Sequence, residues 1–90
     1  MAARQKNVVV IESYNSDKAY PDFLNIDTKT GNIAWHAVDR KAGPFATVLQ
    51  LALAKATHFK TVKEAEAAVR AVFGNKYKFR TSHQTIIFED

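Results

Sequence analysis

Residues 8–12, VVVIE, are apolar on both of the faces that a β-strand presents in alternation. A run of this kind is expected of a strand that is covered on both sides or lies centrally in a sheet. A first strand is therefore expected here, and the rest of a 90-residue chain must supply its neighbours. That length makes one small domain, residues 1–90, burying roughly 60 to 65% of its unfolded surface. Residues 1–6, ahead of the apolar run, are expected to be flexible.

Apolar residues at 47% and charged residues at 24% are globular values, which excludes the disordered and fibrous classes. No apolar stretch approaches the roughly 18 residues of a membrane span. The run in MAARQKNVVVIES is too short for a signal peptide. A cytoplasmic protein with no membrane partner is expected. The chain has no cysteine, so disulfides, zinc ribbons and thiol catalysis are excluded and packing alone must hold the fold.

Punctuation along the chain separates the other elements. Residues 13–22, SYNSDKAYPD, collect turn formers into a surface loop that carries Tyr14 and Tyr20. Residues 23–28 and 32–38 flank TKTGN, where Gly31 can supply the positive φ of a short hairpin, and the second arm points Trp35 into the core. After DRKAG, Pro44 suits a helix start. Phe45, Val48, Leu49, Ala52, Leu53 and Ala56 then form one apolar stripe, with Leu51 outside it. A strand over the same stretch would separate polar from apolar residues less well.

Residues 61–73 carry the strongest local helix signal. Thr61 and Glu64 make a capping box, Val62, Ala65, Val69, Val72 and Phe73 repeat at helical spacing, and Gly74 can end the helix. Glu66 and Arg70 lie four apart on its outer side. The tail KYKFRTSHQTIIFED reads as two strands around a four-residue loop, Thr81 to Gln84. That register places Tyr77, Phe79, Ile86 and Phe88 toward the core, and Lys76, Lys78, Arg80, Thr85, Ile87 and Glu89 on the other face, with Lys76 opposite Glu89. The expected architecture is a two-layer α+β domain in the order β-β-β-α-α-β-β, with both helices on one face of a mainly antiparallel sheet. The other sheet face would then be open to a partner.

Charge is unevenly spread. The net charge is +4, and residues 40–90 carry nine Lys and Arg against four Asp and Glu. A local basic excess of this kind can attract phosphate or an acidic protein face. Lys76, Lys78 and Arg80, extended by Lys55, Lys60, Lys63 and His83, are the candidate phosphate-binding residues, with the rings expected to point away from them. A solvated strand face is the plain alternative. Ile87 among these bases hints at cover by another element or a partner.

Chemistry finds little support in the sequence. His36, His58 and His83 have no metal-ligand spacing. Gly31, Gly43 and Gly74 are too dispersed for a phosphate loop, and no serine sits in a nucleophile elbow. No cofactor is implied. A non-enzymatic binding module, contacting nucleic-acid phosphates or an acidic protein surface, is the expected function. The rival is a protein-binding module of the mobile-element or phage type that inhibits or redirects a host protein, using Tyr14, Tyr20 and Ile87. Homo-oligomerisation through an edge strand would remove the basic site.

Overall fold

The computed structural model describes residues 3–89, with side-chain surroundings for residues 4–87. Its elements are β1 (Ala3–Ser13), β2 (Asp22–Ile26), β3 (Ile33–Ala37), α1 (Phe45–Lys55), α2 (Val62–Phe73) and β4 (Phe79–Glu89). The strands form one antiparallel sheet in the order β3-β2-β1-β4. The α+β class thus holds, and three features differ from the sequence reading.

First, the closing hairpin is a single strand. β4 runs unbroken along the whole of β1, from Phe79 opposite Ser13 to Glu89 opposite Ala3. The element order is therefore β-β-β-α-α-β. Two physical reasons favour the long strand. TSHQ contains no glycine or asparagine to take the positive φ of a tight turn, and no non-glycine residue among those described adopts one. β1 also starts at Ala3, so residues 3–6, expected to be flexible, supply a ladder for the end of β4. Residues 1–2 lie outside the described part, as do the side chains of Phe88 and Glu89.

Second, the helices lie on opposite faces of the sheet. Val8 and Val10 of β1 join Phe23, Val38, Val48, Ala52, Leu53 and Ala56 in a cluster under α1. Val9 and Ile11 join Leu24, Ile26, Ala65, Ala68 and Val69 under α2. Alternation sends these two halves of VVVI to opposite sides. The molecule has three layers, and no open sheet face remains for a partner where the helices pack.

Third, the chain crosses from one face to the other between β1 and β2. These strands meet at Glu12 and Phe23. The segment between the helices fills the space beside that meeting point. Val9 N donates to Phe59 O at 2.8 Å and Phe59 N returns to Val9 O at 2.9 Å. On the other flank Thr57 N donates to Leu24 O at 3.1 Å. The Thr57 hydroxyl accepts from Ile26 N at 2.8 Å and donates to Ile26 O at 3.2 Å. Backbone groups of β1 and β2 that would face each other are satisfied by the crossing segment instead.

Of the remaining local readings, the β2–β3 turn and the cap and stop of α2 hold, and the stripe of α1 holds in part. Gly31 has φ +77° in the β2–β3 turn, and its N–H donates to Asp27 O at 2.8 Å. Trp35 packs half-buried against the α2-side cluster. Val48, Ala52 and Leu53 are buried along one side of α1 and Ala56 just past its end, with Leu51 exposed; Phe45, expected in the same stripe, is 46% exposed and meets Tyr20 instead. On α2, Thr61 Oγ1 accepts from Glu64 N at 3.2 Å, and Gly74 N donates to Arg70 O at 3.0 Å. Thr61→Ala removes this cap. A thermal melt followed by circular dichroism should register a loss of about 1 kcal/mol, or roughly 4–8 °C for a domain of this size.

Candidate binding groove

The basic residues singled out by the sequence do not form one surface. Lys55 ends α1 and lines a cleft against β3, about 390 Å3 in volume, with Trp35, His36, Asp39 and Leu51 among its walls. Lys60 and Lys63 sit at the start of α2, and Lys60 N donates to Glu64 Oε2 at 3.3 Å. His83 is exposed near the middle of β4, opposite Val9. Lys76 and Lys78 precede β4 and are exposed. Among the described residues none of these five lysines forms an ion pair.

Arg80 behaves differently. Its Nε and Nη2 donate to Glu12 Oε1 at 3.3 and 2.9 Å. Nη1 donates to Tyr14 O at 3.3 Å and Ser16 O at 3.0 Å, and Nη2 also to Ser16 Oγ at 3.1 Å. All five guanidinium donors are thereby engaged. The pair is largely enclosed, with side-chain exposures of 22% for Arg80 and 9% for Glu12. Arg80 staples the start of β4 to the end of β1 and the loop that follows, and has no donor left for phosphate.

The tyrosines also divide. Tyr20 packs edge-on against Phe45 at 5.4 Å, and the Arg40 guanidinium lies 3.8 Å from its ring centroid. Arg40 is held in turn by Asp17 at 3.4 Å. Tyr20 thus joins two loops, as a packing residue. Tyr14 remains 53% exposed.

Tyr14 forms one wall of a groove of about 420 Å3. Val62 and Glu66 of α2 line one side, Phe79 and Thr81 of β4 the other, and Tyr77 and Lys78 enter from the segment before β4. One face of Tyr77 stacks on Phe73 at 4.1 Å and 14°, and the residue keeps 37% exposure. Lys78 Nζ stands 5.7 Å from the Tyr14 ring centroid, within cation–π range. Glu66 is half-buried and pairs with Arg70 at 3.5 Å.

This grouping departs from the expectation that alternation separates rings from bases. β4 begins only at Phe79, so Tyr77 and Lys78 are not in a strand and both reach the same groove. Sequence reasoning missed Glu66, Thr81 and Tyr77 as groove residues. The signal that could have found them is Gly74-Asn75, which stops α2 and leaves residues 76–78 in an irregular return.

A groove holding two exposed phenol rings, a carboxylate and an ammonium that forms no ion pair among the described residues can stack a planar ligand and meet an anionic group beside it. Comparison with protein-family models, with curated proteins and with solved structures found no match to the chain. Among the described residues, no helix is long and apolar enough to cross a membrane.

Proposed function

We propose that the protein is a non-enzymatic binding module that takes single-stranded nucleic acid into the groove between α2 and β4. The observation that carries this reading is the convergence of Tyr14, Tyr77 and Lys78 on one groove. Unpaired bases stack on aromatic side chains while lysines meet the phosphates between them. Lys78 supplies the charge in the groove, and Lys76, two residues before it, is exposed. A duplex hides its base faces, so single strands should bind better than duplexes of the same length.

Fluorescence anisotropy with labelled single- and double-stranded oligomers, from about 50 to 200 mM salt, tests the reading. Each phosphate contact would add about −0.7 to the slope of log K against log salt for a single strand. Equal affinity for duplex and single strand, or no binding at about 50 mM salt, would overturn it.

A second reading, a protein-binding patch of the mobile-element or phage type, is favoured by one observation. Ile87 is 52% exposed at the edge of the sheet. Tyr14 serves this reading too, whereas Tyr20 is committed to Phe45 and Arg40.

A further inference from the structure

Glu66 is out of place in a groove meant only for phosphate. A carboxylate repels phosphate, and its partner Arg70 reaches only one of its oxygens, at 3.5 Å. No hydrogen bond to either Glu66 oxygen occurs among the described residues, although the side chain is half-buried and lines the groove beside Tyr14 and Tyr77. An ionised carboxylate offers acceptors only, two oxygens side by side. It therefore matches a ligand edge that carries two adjacent N–H donors.

We infer that the groove selects guanine, with Glu66 accepting from the N1–H and the N2 amino group of a base held against the tyrosine rings. The inference rests on the proposed function and adds the identity of the base. Guanine alone among the four common bases presents adjacent donors on its pairing edge. Adenine and cytosine place a lone pair next to their amino group, and uracil flanks its single N–H with two carbonyls. Each of these would set an acceptor against the carboxylate, leaving one contact repulsive rather than merely unmade. Thr81, half-buried on the opposite wall, does not discriminate in this way, because a hydroxyl can donate or accept.

The test uses five labelled RNA pentamers, UUGUU, UUAUU, UUCUU, UUUUU and the inosine analogue UUIUU, titrated against the intact protein and its Glu66→Gln variant. A bidentate pair discriminates by about tenfold or more. UUGUU should bind about tenfold tighter than UUAUU. UUIUU, which keeps N1–H and lacks the N2 amino group, should fall between them. Glu66→Gln puts a donor where an acceptor stood, so the preference should shrink to about twofold while UUAUU binds no more weakly. Equal affinity of the wild-type protein for all five pentamers would overturn the inference and leave the proposed function standing. A guanine preference that survives in Glu66→Gln would remove Glu66 from the role. Failure to bind any pentamer would overturn the proposed function, and the inference with it.

Discussion

Replacing Arg80 by methionine should lower the melting temperature by roughly 12 to 24 °C. The variant keeps much of the side-chain volume and strands Glu12, whose carboxylate is only 9% exposed. Removing one partner of a largely enclosed ion pair costs about 3 kcal/mol, because the other charge stays desolvated without its counterion. For a domain of this size each kcal/mol is worth roughly 4–8 °C. The loss is a large share of a total stability on the order of 5 to 13 kcal/mol. Arg80→Lys should recover only part of it, since an ammonium cannot reproduce the fork that serves Glu12, Tyr14 O, Ser16 O and Ser16 Oγ together. Changing both partners, Glu12→Leu with Arg80→Met, should restore much of the stability. A melting point within a few degrees of wild type for Arg80→Met would mean that the pair acts like an exposed surface contact, worth about 1 kcal/mol or less.

The second large effect concerns binding. Tyr14→Ala should weaken single-strand affinity by about 5- to 150-fold, the range for one stacked base at 1–3 kcal/mol. Its fold should be unaffected, because Tyr14 is more than half exposed. Lys78→Glu should weaken all sequences alike and flatten the salt slope by about 0.7, the contribution of one phosphate. The double variant should leave no saturable binding at about 150 mM salt. Lys55 lines the cleft on the α1 side, outside the groove, so Lys55→Glu supplies the control. It should change affinity far less than Lys78→Glu. If the two charge reversals weaken binding equally, the attraction is a diffuse property of the net positive charge and the groove has no special part in it.

Much of the fold was legible because local chemistry specified it. Thr61, Glu64 and Gly74 bound α2 through their own hydrogen bonds and φ, with no help from distant residues. Gly31 did the same for the β2–β3 turn. The placement of the helices was written in VVVI as well, since four consecutive apolar residues need cover on two sides. Assigning both helices to one face set that signal aside. The crossing of residues 57–59 between β1 and β2 had no local signature, because it depends on Thr57 meeting the Ile26 backbone 31 positions away.

Strand alternation accounts for what was misread in the tail. KYKFR alternates base and ring in sequence, and that pattern predicts separation only if the whole segment is strand. The ladder between β1 and β4 ends at Phe79, which leaves Tyr77 and Lys78 free to turn toward Tyr14 and α2. Arg80, inside the strand, is drawn the other way by Glu12, its direct cross-strand neighbour. Two residues apart in sequence, a groove lysine and a structural arginine came out of one apparent basic patch.

A single strand seated in the groove of Tyr14, Glu66, Tyr77, Lys78 and Thr81 should perturb the amides of those residues. The most direct measurement is a two-dimensional amide NMR titration of the 10.1 kDa chain with UUGUU. Shifts concentrated at residues 14, 66, 77, 78 and 81, with the α1–β3 cleft and His83 unmoved, are the predicted result. Shifts centred on His36 and Leu51, or none at about 1 mM ligand, would contradict it.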